Sequence, residues 1–397
     1  MTSESFSQLL VSKEILVFCG PGGVGKTSTA AASALAAALQ SGGKTLVLTI
    51  DPARRLADAL GLEGIGNIER RVPDDLLKAA GIEARGELWV AMLDTKQSWD
   101  ALVLRHAPDA ETANRILENP LYSNITSRFI QSHDYVAMER LFELHASGTY
   151  DCIIVDTPPS RNALDFLDAP RRMAEFFGGR LIRWLTLPYR ATGTRGARVF
   201  AIASKPFTQI ADRLLGGPFL SDIAEFFVNF QSMYDGFVAR ANEVERLLHD
   251  PRTGFVVITA LEPAPAREAR SFCAELARRR YALGAVICNR VLPAVLTDSQ
   301  TRQAAELLSE RAESCSEQLI PFGFADPART QRLLHTLAQS YLDYAILATR
   351  EREIRATLAQ HGVLLVELPQ FGSDISDLGG LAQMAQMLVG GETRLVR

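Results

Sequence analysis

The stretch FCGPGGVGKTST, residues 18–29, follows an apolar, β-branched run, EILVFC (14–19), and opens an alanine-rich helical pattern, TSTAAASALAAALQSG. Its core, Gly20-Pro21-Gly22-Gly23-Val24-Gly25-Lys26-Thr27, satisfies G-x-x-x-x-G-K-[ST] in full, with strand before and helix after as that motif requires. Glycines let backbone N–H groups turn inward around phosphate oxygens, and the helix N-terminus adds a favourable dipole. Lys26 is placed to neutralise β- and γ-phosphates, and the Thr27 hydroxyl to ligate Mg²⁺. Gly20, Gly22, Gly23, Val24, Gly25, Lys26, Thr27 and Ser28 are the expected contacts to a nucleoside triphosphate, ATP or ADP.

Outward from this loop, further short apolar runs bounded by turn residues predict buried strands. They are KTLVLTI (44–50), LWVAML (88–93), CIIVD (152–156), GFVVITA (254–260), GAVICN (284–289) and VLLVEL (363–368). Near-continuous hydrophobicity alternating with helical patterns implies an α/β fold, a mostly parallel doubly wound sheet covered on both faces.

Three strand ends carry chemistry. Asp51, in TIDPARRLADAL, sits where ligands collect on such sheets and can orient or deprotonate an attacking water. Arg54 and Arg55 follow it and can sense a γ-phosphate. Asp156, closing YDCIIVD, is a Walker B acid on the Mg²⁺ side, and TPPSRNAL after it is a loop that would change shape when the γ-phosphate leaves. Asn289, in GAVICNRVLP, has an amide that donates and accepts together, which suits the edge of adenine. Pro321 and Phe322, in QLIPFGFADPART, would close the other side of the base.

Composition sets the class. The chain of 397 residues is 47% hydrophobic and 22% charged with a formal net charge of −4, which gives no basic signature for nucleic acid. Five scattered cysteines, Cys19, Cys152, Cys273, Cys288 and Cys315, with no CxxC pair, argue for reduced thiols in a cytoplasmic protein. There is no secretory signal pattern, and no apolar run reaches the ~18 residues that span a bilayer. The histidines form no HxxH or HxxxH pair, and His145, near the end of a helical pattern, is read as a C-terminal cap. Mg²⁺ brought with nucleotide is the expected metal.

Two intervals, about 95–148 and 170–250, hold helical patterns without a strand and are read as helical insertions into a single domain covering 1–397. In the second, Phe219, Ile223, Phe226, Phe230, Met233, Phe237, Ala241, Val244 and Leu248 form one apolar stripe, which either packs in a core or lines a groove for an apolar client. Residues 176–211 carry six cations and no acid, either as a solvated loop or as a contact for acidic lipid headgroups or an acidic partner. The closing stripe Leu378, Leu381, Met384, Met387 and Leu388 is read as docked on the body of the protein.

Taken in order, GPGGVGKTST, DPARRLADALG, VDTPPSRNALDFLDAP and CNRVLP resemble the arsenite-pump (ArsA) ATPase family, which includes the ATPases that deliver tail-anchored membrane proteins in the guided-entry pathway. The resemblance covers nearly the whole chain. It implies the deviant Walker A, SIMIBI-like branch of P-loop NTPases, with Asp51 as the water-orienting acid of the first switch, Asp156 as the Mg²⁺-side acid of the second and Asn289 reading adenine. That family works as paired ATPase modules, so one module implies a homodimer, or a heterodimer with a related ATPase, that cycles with nucleotide and handles a hydrophobic or membrane-associated client.

Three departures stand out. Pro21 occupies the place of a lysine that crosses to the partner's phosphates in typical members, leaving Arg54, Arg55 or Arg161 as substitutes. The zinc-holding cysteine pair of the eukaryotic targeting members is missing, and TPPSRNAL replaces their threonine-glycine-histidine. The scattered cysteines also do not suggest the clustered thiolates an arsenic oxyanion needs. Beside the ATPase reading stands that of a nucleotide-binding, weakly hydrolysing subunit paired with a lysine-bearing paralogue. A membrane-patterning or DNA-partitioning ATPase fits less well, because segment 378–391 lacks any Lys or Arg. A metabolic kinase would need an acceptor site that the sequence does not present.

Overall fold

The computed structural model describes residues 5–50, 54–62, 66–119, 122, 130–158, 167–169, 171–172, 175, 226, 233–359 and 363–390. Eight strands are β1 (Ile15–Cys19), β2 (Lys44–Thr49), β3 (Arg70–Arg71), β4 (Glu87–Met92), β5 (Cys152–Asp156), β6 (Thr253–Ala260), β7 (Leu283–Val291) and β8 (Leu364–Pro369). They form one sheet in the order β3-β4-β2-β5-β1-β6-β7-β8. Every pairing is parallel except β3 with β4. The seven strands expected from apolar runs are all present. The eighth, β3, is two exposed arginines at the sheet edge, which leave no apolar pattern to read.

Side-chain alternation along each strand divides the core into two layers. Ile15, Val17 and Cys19 of β1 join one cluster, with Ile153 and Val155 of β5 and Phe255 and Val257 of β6. Leu16 and Phe18 join the other, with Ile154, Val256 and Ile258. Burying both faces of these central strands is what makes their sequences continuously apolar. Each fully buried Leu, Ile or Val contributes about 1.5–3 kcal/mol.

One layer is covered by α1 (Phe6–Ser12), α2 (Lys26–Gln40), α3 (Arg54–Leu60) and the last helix, α13 (Leu378–Gly390). Residues Ala30 to Ala38 of α2 are all buried, because α2 lies between the sheet and α13 and small side chains let both approach. Leu378, Leu381, Met384 and Leu388 of α13 are buried, so the closing stripe is docked as expected.

The other layer carries α5 (Thr95–His106), α6 (Ala110–Glu118), α7 (Ile130–Ala146), α8 (Tyr234–His249) and α9 (Pro263–Arg278). The described part of 95–148 is mostly helical and holds no strand. Phe226, Met233, Ala241, Val244 and Leu248 of the apolar stripe are buried, which favours its core reading at these positions. Phe219, Ile223, Phe230, the Phe237 side chain and the cationic segment 176–211 lie outside the described residues.

A third helical block separates β7 from β8 and has no counterpart among the two expected intervals. It comprises α10 (Ser299–Glu310), α11 (Ala312–Gln318) and α12 (Pro327–Ala359); the short helix α4 (Asp74–Ala79) lies between β3 and β4. Helix α12 buries small residues, Ala338, Ala345 and Ala348, and exposes large ones, Leu333, Leu337, Tyr344 and Leu347. That inversion hides its amphipathic signal from a reading that looks for large apolar residues on the inner face.

Candidate functional site

The phosphate loop spans the carboxyl end of β1 and the start of α2, between strands that converge on it. Gly20 has φ 150°, and a Cβ there would lie 2.1 Å from the Ile258 carbonyl oxygen of β6, so the loop leaves the sheet against immovable backbone. Gly25 is the N-cap of α2 at φ 90°, ψ 27°, with no side chain capping the helix. The first amides of α2 are therefore not consumed by a cap, which fits a cradle for anionic oxygens. Lys26 is buried and donates from Nζ to the Pro21 carbonyl at 2.9 Å, holding its ammonium across the loop. Pro21 and Val24 are buried, Gly22 and Gly23 are exposed, and Thr27 and Ser28 are half-buried at the start of α2.

Asp156 ends β5, directly beside β1, and pairs in register with both Phe18 and Thr49. It is 1% exposed, and its Oδ2 accepts from the Thr49 hydroxyl at 3.2 Å. The Ile50 amide donates to the Asp156 carbonyl at 3.1 Å, and Thr157 donates from Oγ1 to the Phe18 carbonyl at 2.8 Å. These bonds lock the ends of β2, β5 and β1 side by side. A buried carboxylate thus lies at the end of the strand next to the loop. Asp51, Arg161 and most of TPPSRNAL lie outside the described residues, as do the side chains of Arg54 and Arg55 at the start of α3.

Asn289, on β7, is 4% exposed and reaches the loop: Nδ2 donates to the Val24 carbonyl at 2.9 Å, while Oδ1 accepts from the Arg290 amide at 3.0 Å. A Cβ on Gly25 would fall 2.4 Å from that Nδ2, so glycine is what lets the amide close on the loop. This loop-fastening contact was not anticipated, because the 265 residues separating its partners leave no local signal. Pro321 and Phe322 lie on a 3₁₀ turn between α11 and α12, with the Phe322 amide bonded to Leu319 and the ring 78% exposed. The structure does not pack Phe322 as one wall of a site. By contrast, β8 ends beside β7, where Gln370 donates to the Val291 carbonyl at 3.1 Å, so the Leu368–Gln370 exit shares a strand end with Asn289.

Other polar candidates resolve into structural roles. His145 does not cap α7; its Nε2 lies 2.8 Å from Glu14 Oε2, joining that helix to the start of β1. Among the described residues no group of His, Cys, Asp or Glu could hold a metal ion. Cys19, Cys152, Cys273 and Cys288 are buried and Cys315 is half-buried, and all five are free. Burial pushes the thiols of Cys152 and Cys288 up to about 12 and that of Cys273 to about 11, so none of the three offers a thiolate near neutral pH. No described helix is long and apolar enough to cross a membrane.

Residues 13–319 match the sequence profile of the ArsA family, described as anion-transporting ATPase. A Streptomyces coelicolor protein described as uncharacterized is 29% identical over 279 residues, 70% of this chain and 62% of that one. A putative arsenical pump-driving ATPase of Chlorobaculum tepidum is 30% identical over 162 residues, 39% of this chain and 35% of its own length. The ATPase BagA of Mycobacterium tuberculosis is 24% identical over 383 residues, 93% of this chain and 90% of that one. The chain therefore spans less than two thirds of the length of the first two relatives.

Proposed function

The chain belongs to the anion-transporting ATPase (ArsA) family, and from that membership we propose that it binds ATP with Mg²⁺ at the loop between β1 and α2 and hydrolyses it. The observation that carries the reading is the complete phosphate loop with a buried acid, Asp156, on the adjoining strand. Lys26, already held across the loop at Pro21, would neutralise β- and γ-phosphate oxygens. Thr27 and Asp156 would hold Mg²⁺, which when bound acts as a Lewis acid on phosphate oxygens. Asp51, next in sequence to Ile50 at the end of β2, would orient the attacking water. Asn289 would keep the loop in shape and present its remaining amide hydrogen to the base, with Pro321 and Phe322 closing on the base only if their turn moves.

A nucleotide-driven dimer cycle coupled to a hydrophobic or membrane-associated client, in the cytoplasm, is the wider reading. It is supported by the way residues 66–69, shortly after α3, are tied to the helical layer. Asn67 Oδ1 accepts from the Asp94 amide at 2.6 Å and its Nδ2 donates to Ser98 Oγ at 2.8 Å. Arg140 of α7 donates to the Asn67 carbonyl at 2.9 Å and pairs with Glu69. A shift of the segment that follows Asp51 would thus pull on α5 and α7.

Titration calorimetry with Mg-ATP tests the binding step. Lys26→Ala is expected to weaken affinity at least tenfold, about 1.4 kcal/mol. Equal affinity in both proteins would remove the loop from the account. The second reading, a weakly hydrolysing subunit of a hetero-oligomer, is favoured by Pro21, whose buried ring supplies no charge to a partner. It predicts that turnover appears only when a lysine-bearing related chain is added.

A further inference from the structure

The carboxyl end of β7 contains a break in pairing. Cys288 faces Glu367 of β8, and the next pair is Val291 with Pro369, so β7 advances three residues while β8 advances two. The extra residue makes a bulge, a device that re-aims side chains and recurs next to active sites. Arg290 lies in it at φ 60°. For a residue with a Cβ this left-handed conformation costs on the order of 1 kcal/mol, whereas glycine adopts it freely.

The one other described non-glycine residue at positive φ has a local explanation. Arg280, at φ 62°, follows the C-cap residue Arg279 of α9, and its amide closes the helix on the Ala277 carbonyl. Arg290 ends no helix. Its amide is held at 3.0 Å by Asn289 Oδ1, the same carboxamide whose Nδ2 holds the Val24 carbonyl of the phosphate loop at 2.9 Å. One buried side chain therefore fixes both the loop and the strained backbone of Arg290. The Arg290 side chain is exposed, and among the described residues no carboxylate pairs with it. A position whose backbone favours glycine instead carries an exposed guanidinium with no carboxylate partner among the described residues, next in sequence to Asn289, whose amide touches the phosphate loop. Strain kept at such positions clusters at ligand clamps.

We propose that Arg290 is a nucleotide-binding residue whose guanidinium contacts phosphate oxygens of the nucleotide held by the Gly20–Thr27 loop. A planar fork of N–H donors suits paired phosphate oxygens better than an ammonium does. The assignment rests on the reading that this loop binds nucleotide.

The test compares the full chain with Arg290→Gly, Arg290→Asn and Arg290→Lys, using melting temperature without nucleotide and calorimetric affinity for Mg-ATP and for inorganic pyrophosphate. Glycine relieves the strain, so Arg290→Gly is expected to melt at or above wild type while losing at least tenfold in affinity for both ligands. Arg290→Lys is expected to recover part of that loss. Stability and affinity moving in opposite directions is a result that a purely structural arginine would not give. Should Arg290→Gly melt lower, Arg290→Asn, which also tolerates this φ, makes the same affinity comparison. Wild-type affinity for both ligands in the Gly and Asn variants would overturn the Arg290 assignment alone. Loss for Mg-ATP without loss for pyrophosphate would overturn the phosphate contact. If neither the wild type nor Lys26→Ala bound either ligand, the nucleotide reading itself would fall, and the assignment with it.

Discussion

The Thr49 hydroxyl donates to Asp156 Oδ2 across 3.2 Å, joining the ends of β2 and β5 at the point where Asp156 also faces Phe18 of β1. Both residues are buried, so this donor satisfies a carboxylate oxygen where water is scarce. Thr49→Val keeps the shape and removes the donor, which is expected to cost about 1–3 kcal/mol of stability. In the proposed role for Asp156, it should also raise the Mg²⁺ concentration that half-saturates ATP turnover severalfold, with Thr49→Ser close to wild type. An unchanged Mg²⁺ profile would separate Asp156 from the metal.

Two loop glycines are expected to fail differently. An alanine at Gly20 would drive its Cβ to 2.1 Å from the Ile258 carbonyl, a backbone atom of a central strand, so Gly20→Ala should melt well below wild type or not fold. At Gly25 the obstacle is the Asn289 amide at 2.4 Å, which can swing away. Gly25→Ala should fold with a loss of about 1–2 kcal/mol from the left-handed backbone and lose nucleotide affinity as Asn289 lets go of Val24. Thermal melts and calorimetry on the two variants decide this.

Acid stability has a defined origin on the edge where β1 begins. Hydrogen bonds from the Arg252 guanidinium, then from its amide, hold Asp250 at about 2, below the ordinary 3.8. The His145 ring, with Arg252, lowers Glu14 from 4.5. Both folded-state values are depressed, so the stabilisation is present above the unfolded values and is lost as pH falls from about 4.5 toward 2. These groups are exposed and screened by solvent, so Arg252→Met should lower stability only slightly at neutral pH. Denaturant titrations should show a small difference at pH 7 that shrinks as pH falls from about 4.5 toward 2.

The thiols give a count. With four cysteines buried and Cys315 half-buried, a thiol reagent should label one site quickly in the native protein and all five after unfolding. Burial holds the thiols of Cys152, Cys273 and Cys288 protonated, so arsenite should leave ATP turnover unchanged. Stimulation by arsenite, lost on mutating any of these cysteines, would contradict this.

Much of the fold was legible because a doubly covered parallel sheet writes its strands as unbroken apolar runs, and a phosphate loop must sit between a strand and a helix. β3 escaped because two exposed arginines carry no apolar period, and the α10–α12 block because α12 turns its alanines inward. Around the loop, the strand–loop–helix setting of Lys26 and Thr27 and the place of Asp156 at a strand end were readable from motif spacing alone. The contact of Asn289 with Val24 and the left-handed backbone of Arg290 were not, since an arginine inside a strand pattern announces no bulge. His145 looked like a helix cap from its place in the chain, but its partner, Glu14, comes from 131 residues away.

The most direct test of the central claim is steady-state Mg²⁺-dependent ATP turnover of the purified chain, followed across protein concentration with Lys26→Ala as the reference. A homodimeric ATPase predicts turnover well above the reference, with specific activity rising as the chain is concentrated. Tight ATP binding with turnover no greater than that of Lys26→Ala at every concentration would contradict it and leave the chain as the nucleotide-binding half of a mixed assembly.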